Sequence, residues 1–201
     1  MKMRIAVALS GRGSNLDALL DALGPGARAQ VALVVSDRAE AVGLDRARDR
    51  GIPTQVLSQP ADGDEWLRLL WRFQIDLVVL AGYVKLVPGA VIAAYRGRII
   101  NIHPALLPAF GGKGMYGLRV HQAVLASGTS ESGATVHLVD EVYDHGAVLA
   151  QARVPVLPGD TPDTLAERVL TVEHRLLPAA VLAAAMAGRP VPVADPVGSS
   201  S

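Results

Sequence analysis

Apolar positions along this chain fall into two kinds of block. The first kind is nearly continuous: MRIAVAL at 3–9, QVALVVS at 30–36, IDLVVLAG at 75–82 and a run starting Arg98-Ile99-Ile100. Uninterrupted apolar runs of this length fit strands covered on both faces, as in a parallel sheet. The second kind is spaced. LDALLDAL at 16–23 has helical periodicity, and residues 62–73 put Trp66, Leu69, Leu70 and Phe73 on one stripe. Residues 39–50 are polar and alanine-rich and stop at Gly51, which predicts a helix with a glycine end. Thr54–Leu57 reads as a short strand, and a short helix is expected from Pro88. This alternation predicts a parallel α/β sheet.

The pattern changes after residue 118. Helical spacing covers 119–127. ESGATVHLVD at 131–140 and GAVLAQARVPV at 146–156 then read as two longer strands joined by EVYDH, an antiparallel hairpin at a sheet edge. Thr161-Pro162-Asp163 opens a long last helix. Residues 1–190 are expected to form one domain, and 191–201, rich in Pro, Gly and Ser, a frayed tail.

Composition narrows the function. Half of the 201 residues are apolar, and Lys plus Arg equal Asp plus Glu at 19 each. That balance supplies no electrostatic argument for nucleic acid or an anionic membrane, so neither is expected as a partner. With no cysteine, a disulfide, a thiol nucleophile and cysteine-ligated metal are excluded. The composition fits a reducing cytoplasm. No run of ~18 uninterrupted apolar residues suggests a membrane helix.

The chemistry concentrates in NIHPALLP at 101–108, followed by the glycine-rich GGKGMYG at 111–117. Asn101 and His103 lie two apart at the end of a strand, so both side chains face one way. Carboxyl ends of strands are where open α/β sheets bind ligands. An amide N–H can hold a developing oxyanion, and an imidazole can move a proton near neutral pH. SGRGSN at 10–15 joins a strand to a helix, and its backbone N–H groups suit a phosphate. The loop lacks the third glycine of a dinucleotide fingerprint and the lysine of a Walker loop, so a small phosphorylated ligand fits better. Asp140, Glu141 and Asp144 cluster between the late strands, and any of them could support His103. His137 shares a strand face with Thr135 and Val139, and either lines a site or is a hydrogen-bonded strand residue. His121, Glu173 and His174 fall on predicted helices, where exposure is the ordinary expectation. No histidine pair has metal-ligand spacing, so no metal is expected.

SGRGSN at 10, LAGYVKLV at 80, NIHPALLP at 101, SGATVHLVDEVYDHGAVLAQARVPV at 132 and EHRLLP at 173 occur in this order. Together they resemble the folate-dependent phosphoribosylglycinamide formyltransferases of purine synthesis, over residues 3 to about 190. Methionyl-tRNA formyltransferases and formyltetrahydrofolate hydrolases carry close versions of NIHPALLP. The alternatives are therefore a hydrolase or a formyltransferase for another amine. The resemblance implies a Rossmann-like formyltransferase fold, with a mostly parallel seven-stranded sheet and helices on both faces. It implies 10-formyltetrahydrofolate as cosubstrate, glycinamide ribonucleotide as acceptor, and a monomer or homodimer. It places catalysis on Asn101, His103 and Asp144, with Asp144 keeping His103 charged. Phosphate binding falls on Gly13, Ser14 and Asn15, and the glycinamide or ribose on Glu173. Folate would pack against Tyr83, Val84, Lys85, Leu86, Val87, Asn101, Val139, Asp140, Glu141, Val142 and Asp144. His137 and Thr135 are further site-lining candidates. His145 stands where the resemblance leads one to expect glycine.

Overall fold

The computed structural model describes residues 2–193. The elements are β1 (Met3–Leu9), α1 (Ser14–Ala22), β2 (Ala29–Ser36), α2 (Val42–Asp49), β3 (Thr54–Val56), α3 (Gly63–Arg72), β4 (Leu77–Leu80), α4 (Gly89–Ala94), β5 (Ile99–His103), α5 (Leu118–Ser127), β6 (Glu131–Leu138), β7 (Val148–Pro155) and α6 (Pro162–Ala187). The seven strands form one sheet in the order β3-β2-β1-β4-β5-β6-β7. β1 to β5 run parallel, while β6 and β7 add an antiparallel hairpin at the edge.

Both faces of the sheet are covered, which is why the strand sequences are continuously apolar. Ile5, Val7 and Leu9 of β1 pack with side chains of α1, α2 and α6 on one face. Ala6 and Ala8 point the other way, toward Trp66 and Leu70 of α3 and Val91 and Ile92 of α4. Trp66 is fully buried there and meets Tyr83 edge-on, with ring centroids 5.5 Å apart.

α6 begins with a capping box in which Thr161 and Thr164 satisfy each other's backbone N–H groups. Its length and apolar character would suffice to cross a membrane, but half of its most apolar window is buried inside the protein. It packs on α1, α5, β6 and β7 as a core helix.

The sequence reading and the structure differ at element ends. The run at 75–82 contains only a four-residue strand. Ile75 instead donates its N–H to the Leu70 carbonyl at the end of α3, and Ala81-Gly82 form a bend whose backbone is still bonded to Ala8 and Ser10 at the end of β1. Residues 39–41 precede α2 because Ala41 is extended. Of the expected tail, Val193 donates to the Leu149 carbonyl at 2.8 Å and is tied to β7; residues 194–201 lie outside the described residues.

Candidate active site

The strand order reverses direction around β1 and β4, and the parallel strands end in a cleft of about 970 Å³. β5 delivers Asn101 and His103 to it, and β6 lies beside β5 with Asn101 opposite His137 and His103 opposite Thr135. The β6–β7 loop returns Asp144 to the same point. Asp144 has a left-handed backbone (φ 55°), which turns its carboxylate back toward β5.

Four side chains therefore converge. Asp144 Oδ2 stands 3.5 Å from His103 Nδ1, and Asp144 Oδ1 stands 3.5 Å from His137 Nε2. Asn101 Nδ2 lies 3.0 Å from His137 Nε2 and 3.4 Å from Asp144 Oδ1. The Gly112 N–H donates to Asp144 Oδ2 at 2.9 Å.

These contacts assign the protons. The Phe110 carbonyl, 2.8 Å from His103 Nε2, can only accept, so Nε2 carries hydrogen and Nδ1 is the nitrogen that gains or loses one. Likewise the Leu138 carbonyl, 2.7 Å from His137 Nδ1, puts hydrogen on that atom. His137 Nε2 then accepts from the Asn101 amide. His137 thus orients Asn101, and the second amide hydrogen is held only by the long contact to Asp144.

The electrostatics are opposed within the cluster. Burial pushes the His103 pKa down; Asp144 and the Phe110 carbonyl push it up, and His137 down again, leaving it below the ordinary value. Burial works against the expectation that Asp144 keeps His103 charged. Burial also works to raise the Asp144 pKa, but the neighbouring imidazoles of His137 and His103 and the Gly112 N–H prevail and hold it below its ordinary value. The pair sets a carboxylate beside an imidazole whose ring nitrogens both face acceptors.

The same cleft holds a second pair. Glu173 is 8% exposed, contrary to the expectation of a surface helix charge. Its Oε2 accepts from Asn15 Nδ2 at 2.6 Å. Burial raises the Glu173 pKa, and the Asn15 bond only partly offsets this. Asn15 Oδ1 is buried without a hydrogen-bond partner.

Other expected residues sort by position. Tyr83 to Val87, Val139, Asp140 and Val142 line the cleft, whereas Glu141 is exposed and does not. Thr135 is not a lining residue either. Its buried hydroxyl donates to the Ala105 carbonyl and accepts from Leu107 N–H and from Gln151, so it is consumed in fixing the 105–107 segment. Of the phosphate loop, Arg12 and Asn15 line the cleft, while Gly13 and Ser14 are set back. Gly13 has φ 78°, and a Cβ there would lie 2.6 Å from Gly43 Cα, so packing of the loop against α2 already requires glycine.

Two features escaped the sequence reading. His121 is 4% exposed, lines the cleft and has its pKa lowered by burial and by His103. Residues 112–119 form a cleft wall, for which the glycine spacing was the available signal.

The family model described as "Formyl transferase" matches residues 3–181, which defines the class. A phosphoribosylglycinamide formyltransferase of Escherichia coli is 40% identical over 183 residues, covering 88% of this chain and 84% of that protein. The crystal structure of the Brucella melitensis phosphoribosylglycinamide formyltransferase superposes with a TM-score of 0.83 at 47% identity, covering 92% of this chain and 96% of that one. The chain belongs to the phosphoribosylglycinamide formyltransferase family. A chloroplastic relative from Arabidopsis thaliana is 45% identical, and the chain spans 63% of its length.

Proposed function

We propose that the chain transfers the formyl group of 10-formyltetrahydrofolate to the amine of N1-(5-phosphoribosyl)glycinamide, a step of de novo purine synthesis. The observation that carries this reading is the convergence of Asn101, His103, His137 and Asp144 at the strand ends, in one cleft with the Asn15–Glu173 pair.

In this reaction the amine nitrogen attacks the formyl carbon, and the carbonyl oxygen becomes an oxyanion. The attacking amine must lose a proton, and folate N10 must gain one when its bond to the carbon breaks. In our reading His103 Nδ1 takes the first proton, directly or through water, and the imidazolium is then held between Asp144 and the Phe110 carbonyl. The Asn101 amide hydrogen near Asp144 turns to the oxyanion. His103 returns the proton to N10, releasing tetrahydrofolate. No covalent enzyme intermediate is needed.

The ribonucleotide phosphate is assigned to the loop at 11–15 and its glycinamide or ribose to Glu173. The formyl folate is assigned to the cleft between 83–87 and 139–144. A cysteine-free chain suits a reducing compartment such as the cytoplasm. The test mixes protein, ribonucleotide and 10-formyltetrahydrofolate and follows folate deformylation. Turnover that needs the ribonucleotide supports a transferase. Equal turnover without it indicates the hydrolase alternative.

A further inference from the structure

Ser10 joins β1 to the phosphate loop, and Asp37 follows β2. Neither takes part in the chemistry above. Ser10 is 5% exposed and the Asp37 side chain 1%. Ser10 Oγ donates to Asp37 Oδ1 at 2.5 Å and accepts from the Val84 N–H at 3.1 Å. The Ser10 N–H also donates to the Gly82 carbonyl at 3.0 Å.

The direction of each bond is fixed. A carboxylate can only accept and a backbone N–H can only donate. The serine hydrogen must therefore point to Asp37, which leaves its lone pair for Val84. Among the described residues, Asp37 has a single cation near it, the half-exposed Arg38, at 4.0 Å. A buried carboxylate so weakly paired depends on its hydrogen bond from Ser10 to offset desolvation. Among the described residues, the Val84–Ser10 bond is the hydrogen bond that fastens the backbone of 83–87 to the rest of the protein. The same serine begins the loop at 10–15, and the Gly11 carbonyl accepts from Gly43 N–H at the start of α2.

We propose that Ser10 and Asp37 are positioning residues that hold the 82–87 loop in its folate-accepting place and tie it to the phosphate loop. This rests on the assignment above of those two loops to folate and phosphate. Losing the clamp frees the folate wall first, because the phosphate loop keeps its own anchor on α2.

The test compares Ser10→Ala and Asp37→Ala with the conservative Ser10→Thr and Asp37→Asn. Removing a hydrogen bond to a charged or buried partner corresponds to roughly tenfold in affinity. The alanine variants are expected to raise the formyl folate KM about that much, the ribonucleotide KM distinctly less, and to change kcat little. Threonine and asparagine, which keep a hydroxyl and an acceptor, should restore the folate KM. Equal rises in both KM values, or a lower Tm with both KM values unchanged, would overturn the proposal. Hydrogen exchange at the Val84 amide decides the fastening independently of turnover. Exchange faster in Ser10→Ala, with β1 and β4 unchanged, supports it, and no difference refutes it. A wild-type protein that does not turn over would count against the functional assignment, and the exchange result would still stand or fall alone.

Discussion

His103 Nδ1 faces Asp144 Oδ2 across 3.5 Å, while the opposite ring nitrogen is committed to the Phe110 carbonyl. The carboxylate is the group that favours a proton on Nδ1, against the desolvation that disfavours it. Asp144→Asn removes that charge and should lower the His103 pKa further. A base acts in its neutral form, so wild-type kcat/KM falls as pH drops through the His103 pKa. In the variant this fall should move to lower pH. Because the imidazolium formed during the reaction loses its counter-charge, kcat should drop by on the order of 10²-fold or more, with both substrates still bound. A pH–rate profile of both proteins checks the sign. Loss of kcat in Asp140→Asn instead would show that the wrong carboxylate has been assigned.

Asn101 and His103 leave β5 on the same face and are assigned to one intermediate, so their contributions should not multiply. Each alanine variant is expected to lose on the order of 10²–10³ in kcat, and the double variant clearly less than the product. His103 is buried but sits against the cleft, and Asn101 is half-buried, so Tm should hold within a few degrees. Melting curves beside kcat for the three proteins separate lost chemistry from lost folding. Wild-type turnover by His103→Ala would sink the catalytic assignment.

Glu173 carries a testable pH signature. Its folded pKa is raised by burial, so the folded state binds its proton more tightly than the unfolded chain. The sign follows: the stability contribution is fully present below the unfolded value and is lost as pH rises through the folded one. Glu173→Gln keeps an oxygen for Asn15 and removes the buried charge. The variant should melt above wild type at pH 7–8, and the difference should vanish below about pH 4. Its ribonucleotide KM should rise. A variant less stable than wild type at pH 8 would contradict the burial argument.

What the sequence disclosed follows from periodicity. Strands covered on both faces are visible as apolar runs, and the two-residue spacing of Asn101 and His103 predicts their shared face. The hairpin at 131–156 is visible for the same reason. Spacing could not choose Asp144 over Asp140; that choice came from the resemblance, and the left-handed backbone at 144 is what distinguishes them in space. Asn15 and Glu173 are 158 positions apart, and only the packing of α1 on α6 joins them. His121 looked like a surface residue because α5 carries no strong polar–apolar contrast around it. The offset between the sequence expectation and the His103 pKa has a similar origin: a neighbouring carboxylate can be inferred from sequence, but the depth of burial cannot.

Gly13, which does not line the cleft, is held by packing. Its φ of 78° suits glycine, and an added Cβ would meet Gly43 Cα at 2.6 Å, a backbone atom that cannot swing aside. Gly13→Ala should therefore cost about 1–3 kcal/mol in stability, since left-handed strain and a backbone clash add. For a chain of this size that is a Tm loss of roughly 3–10 °C. Ser14 is half-exposed and its side chain makes no hydrogen bond to the protein among the described residues. Ser14→Ala should leave Tm unchanged, so it probes the phosphate assignment without disturbing the fold. Ser14 does not itself line the cleft but stands between Arg12 and Asn15, which do, in the loop assigned to the phosphate, so the variant's ribonucleotide KM should rise several-fold while the formyl folate KM stays the same. Thermal melts and the two KM values, taken on both variants, divide the roles. If Gly13→Ala keeps its Tm, the close approach to α2 is not what demands glycine. If Ser14→Ala shifts both KM values equally, the loop does not belong to the ribonucleotide phosphate.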